Sequence, residues 1–270
     1  LGEQTKLIHI DPIPGRAGRS EPTDAGIVSH CGLAIEELLG SIKSLLTPEL
    51  ESDINIRRSG VVTAAAEKRK DFDDLMAVKW DNKPMSPARM MFELAKAIPD
   101  DAIVVDDSIS NRAAMRHYFQ GHKRGDLRAF RGQSIGGGIG TTMGTKVANP
   151  DRPVFGIIGD GSAMMTIQGL WTAANDNIPC IFVICNNGMY RVLKVNFDVY
   201  QREILQQEES AGGNLPYSDF PTPFDVSAIA TSMGVHGERI SDPAEIAQAV
   251  QRAVASGKPA VLDIVIDGSL

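Results

Sequence analysis

Residues 159–193 read GDGSAMMTIQGLWTAANDNIPCIFVICNNGMYRVL and follow directly on the run VFGII. The runs VFGII and IFVIC are rich in Val and Ile and lack the alternation of a strand with one wet face, so both read as strands buried on two sides. Each ends in a turn signal, Gly159-Asp160-Gly161 after the first and Asn186-Asn187-Gly188 after the second. Either signal alone is common in plain turns. The interval is more telling, because 24 residues separate Gly161 from Asn186, room for one helix and one strand. That is the crossover that sets two parallel strand ends side by side.

The same alternation extends outward. Strands are expected at 102–106, 153–159, 180–186, 235–239 and 260–266, with helices at 137–147, 166–175 and 243–256. Ser86-Pro87, an N-cap residue followed by proline at the first helical position, opens the amphipathic stretch ARMMFELAKAI and marks a domain start. Residues 86–270 are therefore expected to form an α/β domain, a doubly wound, mostly parallel sheet with helices on both faces, whose ligand sits at the carboxyl ends of the strands. Residues 1–46 hold one strand at 6–11 and one helix at 33–46, too little for a domain, so their sheet is expected to be completed elsewhere. Residues 47–85, with the runs Glu67-Lys68-Arg69-Lys70 and Asp71-Phe72-Asp73-Asp74, read as a linker with a solvated helix.

A formal charge of −7 argues against a nucleic-acid or anionic-membrane partner, since both reward concentrated positive charge. The basic stretch around His122, Lys123, Arg124 and Arg128 is read as a solvated loop. Cys31, Cys180 and Cys185 lack metal-ligand spacing and imply a reducing cytoplasm. No apolar run approaches a membrane span. The start, Leu1-Gly2-Glu3-Gln4, has neither an initiator Met nor a signal-peptide pattern and reads as a cut.

Asp160 and Asn187 fall where the ligand of such a sheet belongs. Magnesium takes an octahedron of oxygens and shares it among one or two protein groups, phosphates and water. Asp160 offers a charged oxygen, Asn187 a neutral one, and the turn at Gly188 can direct the Met189 carbonyl inward as a third ligand. Glycines beside Asp160 let a diphosphate approach the backbone.

The stretch resembles the thiamine diphosphate signature of the pyruvate-decarboxylase-like superfamily, which starts with GDG and ends with NN. GLWTAA, NIP and FVI followed by NNG are most similar to benzoylformate decarboxylase. The resemblance covers the whole chain: KLIHIDPIP looks like the last strand of the family's middle domain, making residues 1–46 a remnant of it, and residues 86–266 look like its diphosphate-binding domain.

It implies thiamine diphosphate and Mg2+ as cofactors, with Asp160, Asn187 and the Met189 carbonyl on the metal. Gly159, Gly161, Ser162 and Ala163 then line the diphosphate. Ser110 adds a hydroxyl from the loop 107–110, where Ile109 offers only backbone in place of the polar residue of many relatives. Ile135 is the residue that bends the cofactor, and the Gln133 carbonyl receives its amine. Tyr190 and Val192 lie against the cofactor and Leu193 towards the substrate. No catalytic group is expected in this chain, and it is expected to be inactive alone, because the family's activating glutamate belongs to a separate pyrimidine-binding domain. The implied activity is non-oxidative decarboxylation of a 2-keto acid with carboligation, by a homodimer or homotetramer sharing its sites between subunits. An acetolactate synthase-like carboligase with a flavin and a non-catalytic cofactor-binding module are the alternatives.

Other residues are read more plainly. Leu170 and Trp171, at helical spacing with Ile167 and Ala174, are expected in the core, as are Met164 and Met165. Asp106 and Asp107 point opposite ways and share no ion. His117 and His122 are expected at the surface. The polar, Gly- and Pro-rich segment 200–223 is expected to be an active-site flap ordered by the cofactor.

Overall fold

The computed structural model describes residues 2, 4–119, 127–129, 134–207 and 215–269. It contains two compact units, Leu1–Lys68 and Arg69–Leu270. In the first, β1 (Ile8–Asp11) pairs in parallel with β2 (Ala25–Val28), and α1 (Cys31–Leu45) follows. The tetrapeptide AGIV of β2 is too short for periodicity to reveal it. The charged segment forms one long helix, α2 (Pro48–Ala77), with no buried residue.

The second unit opens with α3 (Pro87–Ala97), whose first turn is capped by the Ser86 hydroxyl accepting from Arg89 N at 3.2 Å. Then come β3 (Ile103–Asp107), α4 (Arg112–Phe119), β4 (Leu127–Ala129), α5 (Gly137–Ala148), β5 (Val154–Gly159), α6 (Asp160–Met165), α7 (Gly169–Asn175) and β6 (Ile181–Asn186). The chain continues through α8 (Arg191–Val199), α9 (Val226–Ser232), β7 (His236–Ile240), α10 (Ile246–Ser256) and β8 (Ala260–Val265). Six strands form one sheet in the order β4-β3-β5-β6-β8-β7, and every pair is parallel.

Alternate residues of the central strands feed two cores. Val104, Phe155, Ile157, Val183 and Leu262 pack with Met91 and Leu94 of α3, Met115 of α4 and Val250 of α10. Ile103, Ile158, Phe182, Ile184 and Val261 pack with Ile139 of α5, Leu170 and Ala173 of α7 and Ala230 of α9. A sheet covered on both faces is why these strands are apolar throughout.

Several expectations need correction. The helix expected at 166–175 begins only at Gly169, and a separate helix that was not expected, α6, starts at Asp160 itself; between them the Thr166 hydroxyl donates to Gly136 O at 2.7 Å. Because α7 starts only at Gly169, its buried stripe is Leu170 and Ala173, and Trp171, expected in the core, is 60% exposed. Met165 is likewise exposed and Met164 half-buried. His117 is half-buried and not free in solvent: its ring stacks on Phe72 at 4.3 Å and its Nε2 lies 2.8 Å from Asp73 Oδ1. Its partners come from the charged segment, which carries no tertiary signal in sequence. His122 and Gln133 lie outside the described residues.

Candidate functional site

Strand order reverses at β3. The chain leaves β3 through α4 to β4 on one side, then crosses to β5 on the other, and α4 and α7 contribute to opposite cores. Loops therefore part at the carboxyl ends of β3 and β5, which opens a crevice at the switch point of an α/β sheet. A cleft lies there.

Ile109, Ser110, Ile135, Gly159, Asp160, Gly161, Ser162, Asn187, Met189, Tyr190 and Val192 all line it. Ala163 does not, being wholly buried against the core beside Ile139 and Leu170. Leu193 is half-exposed and is not part of the lining. Asp107, Ser108, Asn111 and Cys185 line the cleft too. Asp107 and Ser108 could have been found from their place at the strand end, whereas Asn111 and Cys185 carry no motif.

Asp160 is almost fully buried where β5 gives way to α6. Its carboxylate accepts from Gly161 N at 2.8 Å and from Gly188 N at 2.7 Å, so the turn after β6 is tied to the end of β5 by that one side chain. Burial pushes its pKa up to about 6, against the lowering effect of these backbone N–H groups. Gly188 has φ +68°, a conformation glycine tolerates, and Asn187 Oδ1 accepts from Met189 N at 3.2 Å. At Gly161 a Cβ would lie 2.4 Å from Tyr190 Cε1, so only glycine lets that ring close over the turn.

The opposite wall is built on Asp107. Its Oδ2 accepts from Gly138 N at 2.8 Å and from the Ser162 hydroxyl at 2.5 Å, while Ser162 Oγ accepts from Gly136 N at 2.8 Å. Burial raises the Asp107 pKa. Asp106 faces the other way, to Ser108 and to Arg112 Nε at 3.2 Å, so the two neighbours share no ion. Asn111 is buried at the cleft edge, and its Oδ1 has no hydrogen-bond partner.

Asn186, by contrast, is scaffold. Its Nδ2 donates to Asp263 Oδ1 at 2.9 Å and to Phe224 O at 2.8 Å, and Asp263 also accepts from Val226 N at 3.1 Å and Arg239 NH1 at 3.0 Å. The segment expected to be a flap is partly fixed. Tyr200–Ile204 is a π-helical turn continuing α8, residues 208–214 lie outside the described residues, and residues 218–220 join the clamp. There Tyr190 N donates to Ser218 O at 2.7 Å and Phe220 N to Gly188 O at 2.8 Å, with Lys194 Nζ on Asp219 Oδ1 at 2.6 Å.

A diphosphate carrying magnesium fits this donor set. One buried carboxylate that, among the described residues, bonds only backbone N–H groups, a neighbouring amide oxygen, a glycine where any Cβ would collide, and the Ser110 hydroxyl on a facing loop suit a hard cation that shares its shell with phosphate. Among the described residues no cluster of three or more His, Cys, Asp or Glu side chains could hold a metal by itself. Nor is any described helix long and apolar enough to cross a membrane.

Residues 110–264 match the family model described as thiamine pyrophosphate enzyme, C-terminal TPP binding domain. The chain is 30% identical over 275 residues to a "Probable acetolactate synthase large subunit" of Methanocaldococcus jannaschii, covering 98% of this chain and 42% of that protein. It is 27% identical over 259 residues to benzoylformate decarboxylase of Pseudomonas aeruginosa, covering 96% and 43%. Among solved structures, a thiamine diphosphate-dependent 4-hydroxybenzoylformate decarboxylase of Rhodococcus jostii superposes with a TM-score of 0.71 at 25% identity, over 99% of this chain and 45% of that one. The chain thus spans under half the length of these relatives.

Proposed function

The chain belongs to the thiamine pyrophosphate enzyme family through its C-terminal TPP-binding domain, and on that premise we propose that it forms the magnesium and diphosphate side of the cofactor site in a 2-keto acid decarboxylase. The observation that carries this reading is the convergence of the loops after β3, β5 and β6 on one cleft around the buried Asp160. Asp160, Asn187 and the Met189 carbonyl hold Mg2+. The Ser110 hydroxyl and the backbone of Gly159, Gly161 and Ser162 hold the diphosphate, while the Ser162 hydroxyl stays on Asp107, and Ile135, Tyr190 and Val192 flank the rings.

Bound thiamine diphosphate supplies the electron sink for cleavage of the bond between a keto carbon and its carboxylate. The chain's own residues bind and orient that group and exclude water from it. Tyr190, closed over Gly161 and packed edge-on against Phe220 at 4.8 Å, walls the diphosphate end. Residues 1–46 are read as part of a middle domain. The carboxylate that activates the aminopyrimidine comes from outside these residues, within a cytoplasmic homo-oligomer.

A second reading, an acetolactate synthase-like carboligase, is favoured by the 30% identity to the Methanocaldococcus jannaschii protein. It shares the same cofactor site. Calorimetric titration of the full chain with thiamine diphosphate and Mg2+ tests that common core. Asp160→Ala is expected to weaken binding by roughly 100-fold, because it removes the only charged ligand. Equal binding by the variant and its parent defeats the assignment.

A further inference from the structure

Met189 and Asp219 form an isolated antiparallel bridge, in which Tyr190 N donates to Ser218 O at 2.7 Å and Phe220 N to Gly188 O at 2.8 Å. Both bonds come from the neighbours of the facing pair, so this is the register in which the paired residues themselves exchange none. With planar peptides, the N–H and C=O of Met189 then both point away from residues 218–220. The Met189 N–H does so, donating to Asn187 Oδ1 at 3.2 Å. Its carbonyl is therefore directed to the Asn187 side, and both residues line the cleft.

Two hydrogen bonds hold an irregular segment weakly. An ion pair reinforces them, with Lys194 Nζ 2.6 Å from Asp219 Oδ1. Lys194 sits on α8 one turn beyond Tyr190, the residue at the N-cap of that helix. The pair thus ties 218–220 to the helix that begins at the turn itself. Lys194 is 5% exposed and Asp219 half-exposed. Burying an ammonium costs desolvation that offsets much of what the pair contributes to stability. What the pair does supply is a fixed place for 218–220.

We propose that Lys194 and Asp219 are positioning residues for the metal: by seating 218–220 on the turn, their ion pair holds the Met189 carbonyl beside Asn187 Oδ1, in the place a magnesium ion requires. This rests on the cleft being a magnesium and diphosphate site, as proposed above. Neither side chain touches the ion. Their effect is on the aim of one backbone oxygen.

Mg2+ demands a near-ideal octahedron, whereas Ca2+ accepts more ligands at looser angles. A carbonyl that wanders should therefore cost Mg2+ more than Ca2+. The test follows thiamine diphosphate binding to the full chain by calorimetry as a function of Mg2+ and, separately, of Ca2+, with thermal unfolding of each unliganded variant. Lys194→Met should raise the half-saturating Mg2+ concentration by about tenfold, the lower end of what loss of a group supporting a metal ligand costs. The rise for Ca2+ should be smaller. Asp219→Asn, which keeps an acceptor without the charge, should show a lesser form of the same preference, and Asp219→Glu should return Mg2+ dependence to the parent's. The double variant Lys194→Met, Asp219→Asn should lose no more than Lys194→Met alone, because one interaction is removed twice. Amide exchange at Tyr190 should quicken in the unliganded Lys194→Met chain.

Parent-like Mg2+ dependence in Lys194→Met and Asp219→Asn overturns the inference and leaves the cofactor reading intact. Equal losses with Mg2+ and Ca2+ overturn it too, since the pair would then support the site in general and not the aim of a ligand. So do additive losses in the double variant. Should Lys194→Met fail to fold, the half-exposed Asp219→Asn decides alone. A parent that binds thiamine diphosphate with neither metal overturns the inference and the reading together.

Discussion

Two buried aspartates lie at the same sheet, and they are treated oppositely. Asp263, in the middle of β8, meets the Asn186 amide, the Val226 N–H and the Arg239 guanidinium, so both its oxygens and its charge are answered within the chain. Asp160, at the end of β5, is held by two backbone N–H groups, and among the described residues no side-chain cation pairs with it. Burial raises both pKa values, yet only Asp160 faces a cleft. A closed polar network is scaffold; an open one leaves charge for a ligand to neutralise.

Breaking the closed network should cost most. Asp263→Ala leaves the Val226 N–H buried without an acceptor, leaves the Asn186 amide with Phe224 O alone, and takes from Arg239 the nearer of its two carboxylates, a loss of about 4 kcal/mol. Urea denaturation would show it as a much lower midpoint at unchanged slope. A loss under about 1 kcal/mol would mean that the network is not closed as described.

Asp160→Ala sharpens the contrast from the other side. Its effect belongs in binding, about 3 kcal/mol for the 100-fold loss expected with thiamine diphosphate and Mg2+. The unliganded fold should lose much less than in Asp263→Ala, because removing an unpaired buried charge offsets the lost contacts with Gly161 and Gly188. Equal destabilisation by the two substitutions would erase the distinction.

The distinction also has a pH signature. A carboxyl whose folded pKa is raised keeps its proton when the unfolded chain has lost it, so the native state binds more protons and stability falls as pH rises. For Asp160 the window runs from about 3.8 to about 6, and Asp107 and Asp263 add the same sign. Asp225, held low by Ser227 and Ala228, acts with opposite sign below that window. The shift of about two units in Asp160 corresponds to roughly 3 kcal/mol at most, reduced by whatever water the cleft admits. Unfolding midpoints of the unliganded chain should fall between pH 4.5 and pH 6.5, values on the order of that window. Added Mg2+ and thiamine diphosphate should raise the midpoint more above the window than below it, since proton and metal compete for one carboxylate. A ligand-induced rise that does not depend on pH would detach Asp160 from the metal.

Why Asp160 and Asn187 were legible from sequence, and Asp263 was not, follows from how each is built. The clamp is local to strand ends, and its residues sit beside glycines that announce a close approach. The strands were legible for a similar reason: VFGII and IFVIC are apolar on both sides because both sides are covered. Asp263 interrupts an apolar strand, and its partners lie at residues 186, 226 and 239, so only folding reveals its role. The break between α6 and α7 was hidden in the same way, since the Thr166 hydroxyl leaves the helix for Gly136, thirty positions back. Trp171 differs as a consequence, because its helical spacing is counted from Ile167, two positions before α7 begins. His117 escaped because Phe72 and Asp73 sit in a charged run whose composition signals solvent.

The mildest prediction probes how much of the closed network is charge. Arg239 is 37% exposed and also lies 3.7 Å from Asp225, so its pairing with Asp263 is partly screened by water. Arg239→Ala leaves Asn186 and Val226 N on Asp263, and the expected loss is about 1 kcal/mol or less. A double-mutant cycle with Asn186→Ala separates the two contributions: the amide, buried beneath the strand ends, should carry the larger share. If Arg239→Ala matches Asp263→Ala instead, Asp263 depends on a counter-ion after all. The two aspartates would then differ only in whether that counter-ion belongs to the chain.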